Sequence, residues 1–167
     1  MSGFLLATPR TLIRSVEAAD LAPLYDIATD AQVAPMLLLF HAGMDRQDFA
    51  RIFPLGAARP PFRAVVEAGG RTIGSIGVSA GARPSIVYFL APACAGQGLA
   101  SEIVPPFVAT LGRDFGLHAL RAEVFDDNPA SLRVLEKAGF IRTGRTMLRS
   151  AGRAQSAPGW VLERDAG

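Results

Sequence analysis

The sequence predicts an α/β (α+β) fold built as one domain: a meander of antiparallel strands followed by helices that alternate with strands. Three observations carry that expectation. Two strand-like runs, 62–67 and 71–78, flank the turn residues Ala68-Gly69-Gly70. A third run, Ile86-Val87-Tyr88-Phe89-Leu90, leads through the small-residue loop Ala95-Gly96-Gln97-Gly98-Leu99-Ala100 into an amphipathic segment, 101–115. With 167 residues, 50% hydrophobic and 19% charged, the chain is long enough for one well-packed core and short for two, so 1–167 is expected to be a single domain.

The elements follow in order. Leu12-Ile13-Arg14 begins the opening strand, and Asp20 stands where an N-cap would start a helix carrying Leu21, Leu24, Tyr25 and Ile27. Asp45 caps a second helix with Phe49, Ile52 and Phe53 on one side, stopped by Pro54 and the Gly/Pro-rich stretch 56–61. The runs 62–67 and 71–78 make a hairpin, and 85–90 adds the third strand of the meander. Past the glycine loop, helix 101–115 ends at Gly116, and Leu120-Arg121-Ala122-Glu123-Val124-Phe125 alternates as a strand does. A crossover of this length sets that strand parallel to the one before the loop. Asn128 or Asp127 then caps a helix through Lys137, with Gly139 as its C-cap. Phe140-Ile141-Arg142-Thr143 starts a further strand, and Trp160-Val161-Leu162-Glu163 is the last. Between them 150–158, rich in Ala, Ser and Gly, reads as a mobile hairpin loop.

The glycine loop is the most informative feature. Without a Cβ at Gly96 and Gly98 the backbone bends sharply and can come close to a ligand, while the first amides of the following helix have no internal partner. The helix dipole adds positive potential there, so a pyrophosphate would be held mainly by main-chain N–H groups. Lys137, the only lysine, is far away in sequence. By itself such a loop also serves merely to start a helix. It lacks the Gly-Lys-Ser/Thr end of a P-loop, since Leu99 and Ala100 follow Gly98, and it sits past mid-chain rather than on a first strand as a dinucleotide fingerprint would.

Composition narrows the classes further. The longest apolar stretch, 34–40, is broken by Pro35 and far too short to span a membrane, and 1–7 lacks the basic start and long apolar core of an export signal. Cys94 has no disulfide partner, and His41 and His118 form no cluster of metal-ligand spacing, so a reduced, cytoplasmic, metal-free protein is expected. A formal charge of +2 and scattered arginines argue against nucleic acid, and the looser group Arg142, Arg145, Arg149 and Arg153 reads as solvated surface.

Leu90-Ala91-Pro92, then Gly96-Gln97-Gly98-Leu99-Ala100-Ser101-Glu102, then Asn128-Pro129-Ala130-Ser131-Leu132-Arg133-Val134-Leu135-Glu136-Lys137-Ala138-Gly139-Phe140 together resemble the GNAT acetyltransferase superfamily. The resemblance is closest to its ribosomal-protein N-terminal (Rim-type) branch, and Thr11-Leu12-Ile13-Arg14 and Trp160-Val161-Leu162-Glu163-Arg164 are similar to that branch's first and last strands. It implies a mixed, mostly antiparallel central sheet flanked by helices, with a splayed parallel strand pair at an acetyl-CoA loop. It also implies that the pyrophosphate sits on the amides of Gly96, Gln97, Gly98, Leu99 and Ala100. The pantetheine arm would run beside Phe89, Leu90 and Ala91 like an added strand. Asn128 matches the family's asparagine near the pantetheine, and it also serves as a helix N-cap.

Acetyl transfer needs something to protonate the departing thiolate. Many family members place a tyrosine for this where the present chain has Leu135, which cannot do it. Ser131 matches a serine whose hydroxyl can reach the coenzyme A sulfur in the Rim-type branch, which makes it the candidate acid as well as a cofactor contact; an ordinary first-turn helix serine would look the same. Glu67, Glu102, Glu123 and Asp126 are the carboxylates available as general base, and geometry must choose among them. Glu102 also fits as a first-turn acid favoured by the helix dipole, and Cys94 reads as a packing residue. Ala95 departs from the Arg or Gln that usually opens the loop, which removes one side-chain contact to phosphate.

The implied function is acetyl transfer from acetyl-CoA to a primary amine by direct attack in a ternary complex. The acceptor would be a protein N-terminus or a small molecule such as a polyamine or aminoglycoside. The nearly uncharged stretch 33–40 argues against a strongly cationic acceptor. The alternative is a non-catalytic acyl-CoA-binding or protein-interaction module of the same fold. Besides the amine, the partners left open are a second copy in a homodimer, with neither nucleic acid nor membrane expected.

Overall fold

The computed structural model describes residues 3–165. A short strand, β1 (Leu5–Ala7), precedes the predicted opening strand β2 (Leu12–Ser15) and pairs with it antiparallel. Three residues carry too little alternation to be legible beforehand. With β3 (Phe62–Ala68), β4 (Arg71–Val78) and β5 (Ile86–Leu90) they form an antiparallel sheet ordered β1-β2-β3-β4-β5. Ala68 pairs with Arg71, and the two loop residues between them, Gly69 and Gly70, both take positive φ (58° and 77°), the geometry a two-residue hairpin demands.

Helices α1 (Leu21–Ala28) and α2 (Arg46–Ile52) lie between β2 and β3. Asp45 caps α2 as expected, its carboxylate accepting from the N–H groups of Gln47 and Asp48. Asp20 corrects the prediction for α1. Its side chain caps none of that helix's amides and instead accepts from the Glu17 N–H (2.8 Å), the Thr72 hydroxyl (2.9 Å) and both Nη atoms of Arg14 (2.8 and 3.0 Å). Arg14 also donates through Nε to Glu67 (2.8 Å). The network clamps α1 to β2, β3 and β4 with Asp20 only 4% exposed.

Burial alone would raise the Asp20 pKa, but the hydrogen bonds from Arg14, Glu17 and Thr72 outweigh it and hold the carboxyl below its ordinary range. A depressed carboxylate pKa contributes stability that is present above the unfolded-state value and lost as pH falls through the folded-state value. Arg14→Met is therefore expected to cost about 3 kcal/mol at pH 7 by leaving a buried carboxylate unpaired. Its deficit against the parent should shrink as pH falls below the ordinary carboxylate range and through the lowered folded-state value of Asp20. Urea midpoints at pH 7 and pH 3 check this, and a gap of equal size at both would disprove it.

Past the loop come α3 (Leu99–Phe115), β6 (Ala119–Phe125), α4 (Pro129–Lys137), β7 (Ile141–Leu148) and β8 (Ala157–Asp165). Asn128, not Asp127, caps α4, accepting from the Ser131 N–H, and Gly139 follows Ala138 at the helix end with φ of 93°. Strands β6, β8 and β7 form a second antiparallel sheet in that order. The two sheets meet where β5 and β6 begin side by side, parallel, through one bridge between Ser85 and Arg121 and the Arg121 N–H to Pro84 O bond (2.9 Å). Beyond that bridge the strands pair no further. The expected splay is thus wide enough to divide the sheet.

One other expectation is corrected, and a second holds for all but one residue. The hairpin loop between β7 and β8 is pinned: the Ser150 hydroxyl, buried, donates to Leu37 O, the Ala151 N–H donates to Leu38 O (2.9 Å), and Arg153 Nε donates to Pro35 O (2.6 Å). Of the arginines read as solvated surface, Arg142, Arg145 and Arg149 are exposed as expected, Arg145 gripping Asp126 with two bonds of 2.6 Å and Arg142 pairing with Glu136, whereas Arg153 is half-buried, pairs with Asp127 and lies 3.7 Å over the Phe125 ring. Arg142 and Arg145 both stack on Trp160, which places apolar stems against an aromatic face that would otherwise meet water.

Strand alternation divides the core. Ala64, Val66, Ile76, Val78 and Ile86 point into the larger cluster with α3 and α4, while Val65 and Phe89 point the other way, toward Leu24, Phe40, Phe49 and Phe53. Each face of the five-stranded sheet is therefore covered, and the splay is where the two sides communicate.

Candidate active site

Gly96 and Gly98 both adopt left-handed backbone, with φ of 76° and 74°, and Gly98 is the N-cap of α3 with no side chain to satisfy the helix amides. A Cβ at Gly96 would meet nothing within 4 Å, so the space in front of the loop is open. The loop is braced from behind. Arg10 donates to Gln97 O (2.9 Å) and to Glu102 (2.7 Å), Glu102 also accepts from the Thr8 hydroxyl (2.6 Å) and the Arg10 N–H (2.8 Å), and Gln97 Nε2 donates to Ala93 O (3.0 Å). The Thr8 bond and the Arg10 contacts together hold the Glu102 carboxyl below its usual range.

A cleft of about 950 Å³ runs from this loop along the splay. It is lined by Phe89, Leu90, Ala91, Gly96, Gly98, Leu99, Ala100, Asn128 and Ser131, so the fold brings together residues read from two separate stretches of sequence. Gln97 alone of the predicted set lies outside the lining, because its side chain turns back to Ala93. The β5 edge along the cleft, past the Ser85 bridge, has no strand partner and leaves backbone groups available to an extended ligand.

Ser131 occupies the first turn of α4, and its hydroxyl lies 2.6 Å from the Tyr88 hydroxyl. Burial pushes the Tyr88 pKa up to about 12 against the opposing effect of the Ser131 bond, so the phenol stays protonated at neutral pH. A tyrosine hydroxyl is thus present beside the candidate acid, supplied by β5 rather than by α4, where Leu135 is buried. Sequence reading had placed Tyr88 only as one of five residues in an apolar run. Asn128 accepts through Oδ1 from the Ser131 N–H (3.4 Å), and its side-chain NH2 has no partner among the described residues.

Residues 10–141 match the Acetyltransferase (GNAT) domain family. The chain belongs to the GNAT acetyltransferases. Solved structures of the same fold include a GNAT-family acetyltransferase from Bacillus anthracis, 20% identical, covering 97% of this chain and 98% of that one with a TM-score of 0.81. A ribosomal-protein-S5-alanine acetyltransferase from Vibrio fischeri is 16% identical over 96% of both chains (TM-score 0.78). A spermidine N-acetyltransferase from Vibrio cholerae, solved with CoA and spermine, is 16% identical over 93% of this chain and 96% of that one (TM-score 0.76). No curated protein matches the sequence significantly. Identities this low establish the GNAT fold and do not separate its ribosomal-protein branch from the others.

Within this GNAT domain the four candidate bases separate. Glu67 is tied to Arg14, Glu102 to Thr8 and Arg10, and Asp126 to Arg145. Glu123 lines the cleft with only a 3.9 Å approach to Arg121. Leu120, Ala122 and Val124 enter the larger core, so Glu123 faces the opposite side, toward the wall built by 32–40. Arg133 and Lys137, one turn apart on α4, also line the cleft, although sequence distance had set Lys137 aside. Cys94 is half-buried in the turn before the loop. Among the described residues no group of His, Cys, Asp or Glu could hold a metal ion, and no helix is long and apolar enough to cross a membrane.

Proposed function

We propose that this chain transfers an acetyl group from acetyl-CoA to a primary amine by direct attack in a ternary complex. One observation carries the reading: a single cleft joins an open glycine loop, a hydroxyl pair at the splay and one loosely held carboxylate on the far side of the sheet. The residues fit the cofactor. Amides of Gly96, Gln97, Gly98, Leu99 and Ala100 hold the pyrophosphate, with Arg133 and Lys137 adding positive potential; the β5 edge at Phe89, Leu90 and Ala91 aligns the pantetheine, and the free Asn128 amide donates to it. Bound there, acetyl-CoA supplies a thioester carbonyl activated for acyl transfer.

Glu123 takes the proton that the acceptor amine must lose as nitrogen bonds to the carbonyl carbon. When the carbon–sulfur bond breaks, Ser131 donates a hydrogen bond to the departing thiolate, which leaves as the anion and takes its proton from solvent. Tyr88 has a pKa near 12, well above the roughly 8.5 of a thiol, so it does not surrender its proton outright. It donates instead to Ser131 Oγ, which leaves the serine proton free for sulfur. The acceptor lies against 32–40, and the resemblance of 128–140 to the ribosomal-protein branch supports a protein N-terminus or a small amine in that place. One domain over 1–167 does this work, and its lone cysteine suits a reducing, cytoplasmic setting.

Thiol release from acetyl-CoA in the presence of peptide N-termini, amino acids, polyamines and aminoglycosides tests the activity. Binding of acetyl-CoA without release to any amine would favour the non-catalytic module instead. Ser131→Ala is expected to lower kcat about 10-fold to 100-fold with acetyl-CoA affinity retained. Tyr88→Phe should cost less, and the double variant no more than Ser131→Ala alone, because the tyrosine acts through the serine. An additive double variant would refute that relay.

A further inference from the structure

Arg63 is the one charged group in the cleft that the acetyl-transfer reading leaves without a task. It lies on β3 opposite Gly77 of β4, which is opposite Val87 of β5, so the three share the face that looks toward 32–40. Gly77 makes room for it: a Cβ there would stand 2.9 Å from Arg63 Cγ, so the arginine stem reaches across β4 over the missing side chain. The guanidinium then stacks 5.7 Å from the centroids of both Phe40 and Phe53.

Its N–H groups have no acceptor among the described residues. Four of the five other half-buried arginines have one: Arg14 holds Asp20 and Glu67, Arg83 holds Glu163, Arg153 holds Asp127 and Arg164 donates to Ala138 O, while Arg121 comes no nearer than 3.9 Å to Glu123. Among the described residues no side-chain nitrogen cut off from solvent lacks a partner, so the unbonded guanidinium edge opens into the cleft that Arg63 lines. Burial without a counter-charge lowers its pKa to about 10, still cationic at neutral pH. A fixed, stacked guanidinium with free donors is built to take a planar anion in two parallel hydrogen bonds.

We propose that Arg63 determines acceptor specificity by binding a carboxylate carried by the amine substrate, which makes the acceptors small aminocarboxylates rather than polyamines. The inference rests on the acetyl-transfer reading for the amine's fate. Arg63 on β3 and Glu123 on β6 face the same side, with β4, β5 and the splay between them, and the Arg63 stem reaches over Gly77 of β4 toward the cleft that both line, so one acceptor can present its carboxylate to the first and its amine to the second.

The experiment has two arms. In the first, glycine, 4-aminobutanoate and 6-aminohexanoate are compared with their carboxamides and with spermine by thiol release. At least one carboxylate is expected to exceed its amide by about 30-fold to 100-fold in kcat/KM, with spermine poorest. Arg63→Met should erase the preference and Arg63→Lys keep part of it, while coenzyme A affinity stays as in the parent. In the second arm, the N-acetyl derivatives of the same acids and amides are titrated by calorimetry into protein saturated with coenzyme A, which needs no turnover. Equal binding of acids and amides by the parent, or a preference that survives Arg63→Met, overturns the proposal. Transfer to amines without any carboxylate preference sinks the Arg63 assignment and leaves acetyl transfer standing. Arg63-dependent acid binding with no turnover does the reverse. Because the parent comparison alone can decide, a variant that fails to fold does not rescue the idea.

Discussion

Glu123→Gln is expected to lower kcat by about 10²-fold to 10⁴-fold, the usual contribution of a positioned general base. Glutamine keeps the volume and a hydrogen-bonding oxygen but cannot take up the ammonium proton, so acceptor KM should change much less than kcat. The basis is elimination by geometry: the other carboxylates near the strands are each bonded to an arginine, and Glu123 alone stands in the cleft with a 3.9 Å approach as its only charged contact. Asp126→Asn, outside the cleft, serves as the control with near-parent kcat. Were Glu123→Gln to retain full kcat, ordered water would have to be the base.

Gly98→Val should abolish measurable acetyl-CoA binding, a loss of at least about 100-fold, for two separate reasons. At φ of 74° an L side chain strains the backbone by about 1–2 kcal/mol, more for a β-branched one, so the loop would tend to leave the conformation that aims its amides outward. The added methyls would also project at the start of α3, where the phosphate must come within hydrogen-bond distance of the main chain. The protein itself tolerates the change. The nearest atom to a Cβ at Gly98 is Arg10 Nη2 at 3.8 Å, an ordinary contact, so the folded variant can be tested by calorimetry. Unchanged coenzyme A affinity in folded Gly98→Val would remove the loop from the binding site.

Local chemistry was legible in the residues themselves. Glycines that take positive φ marked the hairpin turn and the loop before α3, Asp45 and Asn128 marked helix starts, the runs about the hairpin turn marked β3 and β4, and alternation marked β6. These signals act within a few residues, so backbone sterics and capping bonds resolve them without reference to the rest of the chain. β1 escaped because its three residues are a strand only by virtue of β2. Asp20 looked like a cap because caps favour aspartate, yet Arg14 and Thr72 offered stronger partners once the sheet had formed.

Assignments of function depended on pairings between distant residues, which no local pattern contains. Tyr88 meets Ser131 across 43 residues only because β5 and α4 face each other at the splay. Three of the four candidate carboxylates turned out to be neutralised by arginines, two of them more than 50 residues away, while Glu123 was left nearly free. Arg63 differs from its fellow arginines in nothing the sequence records; its empty donors follow from Gly77 beneath it and from two phenylalanines brought over it by α2 and the segment before it. A charge acquires a role from what the fold places within hydrogen-bond reach, and in this protein tertiary packing satisfied most charged groups near the cleft while leaving Arg63 and Glu123 facing its open space.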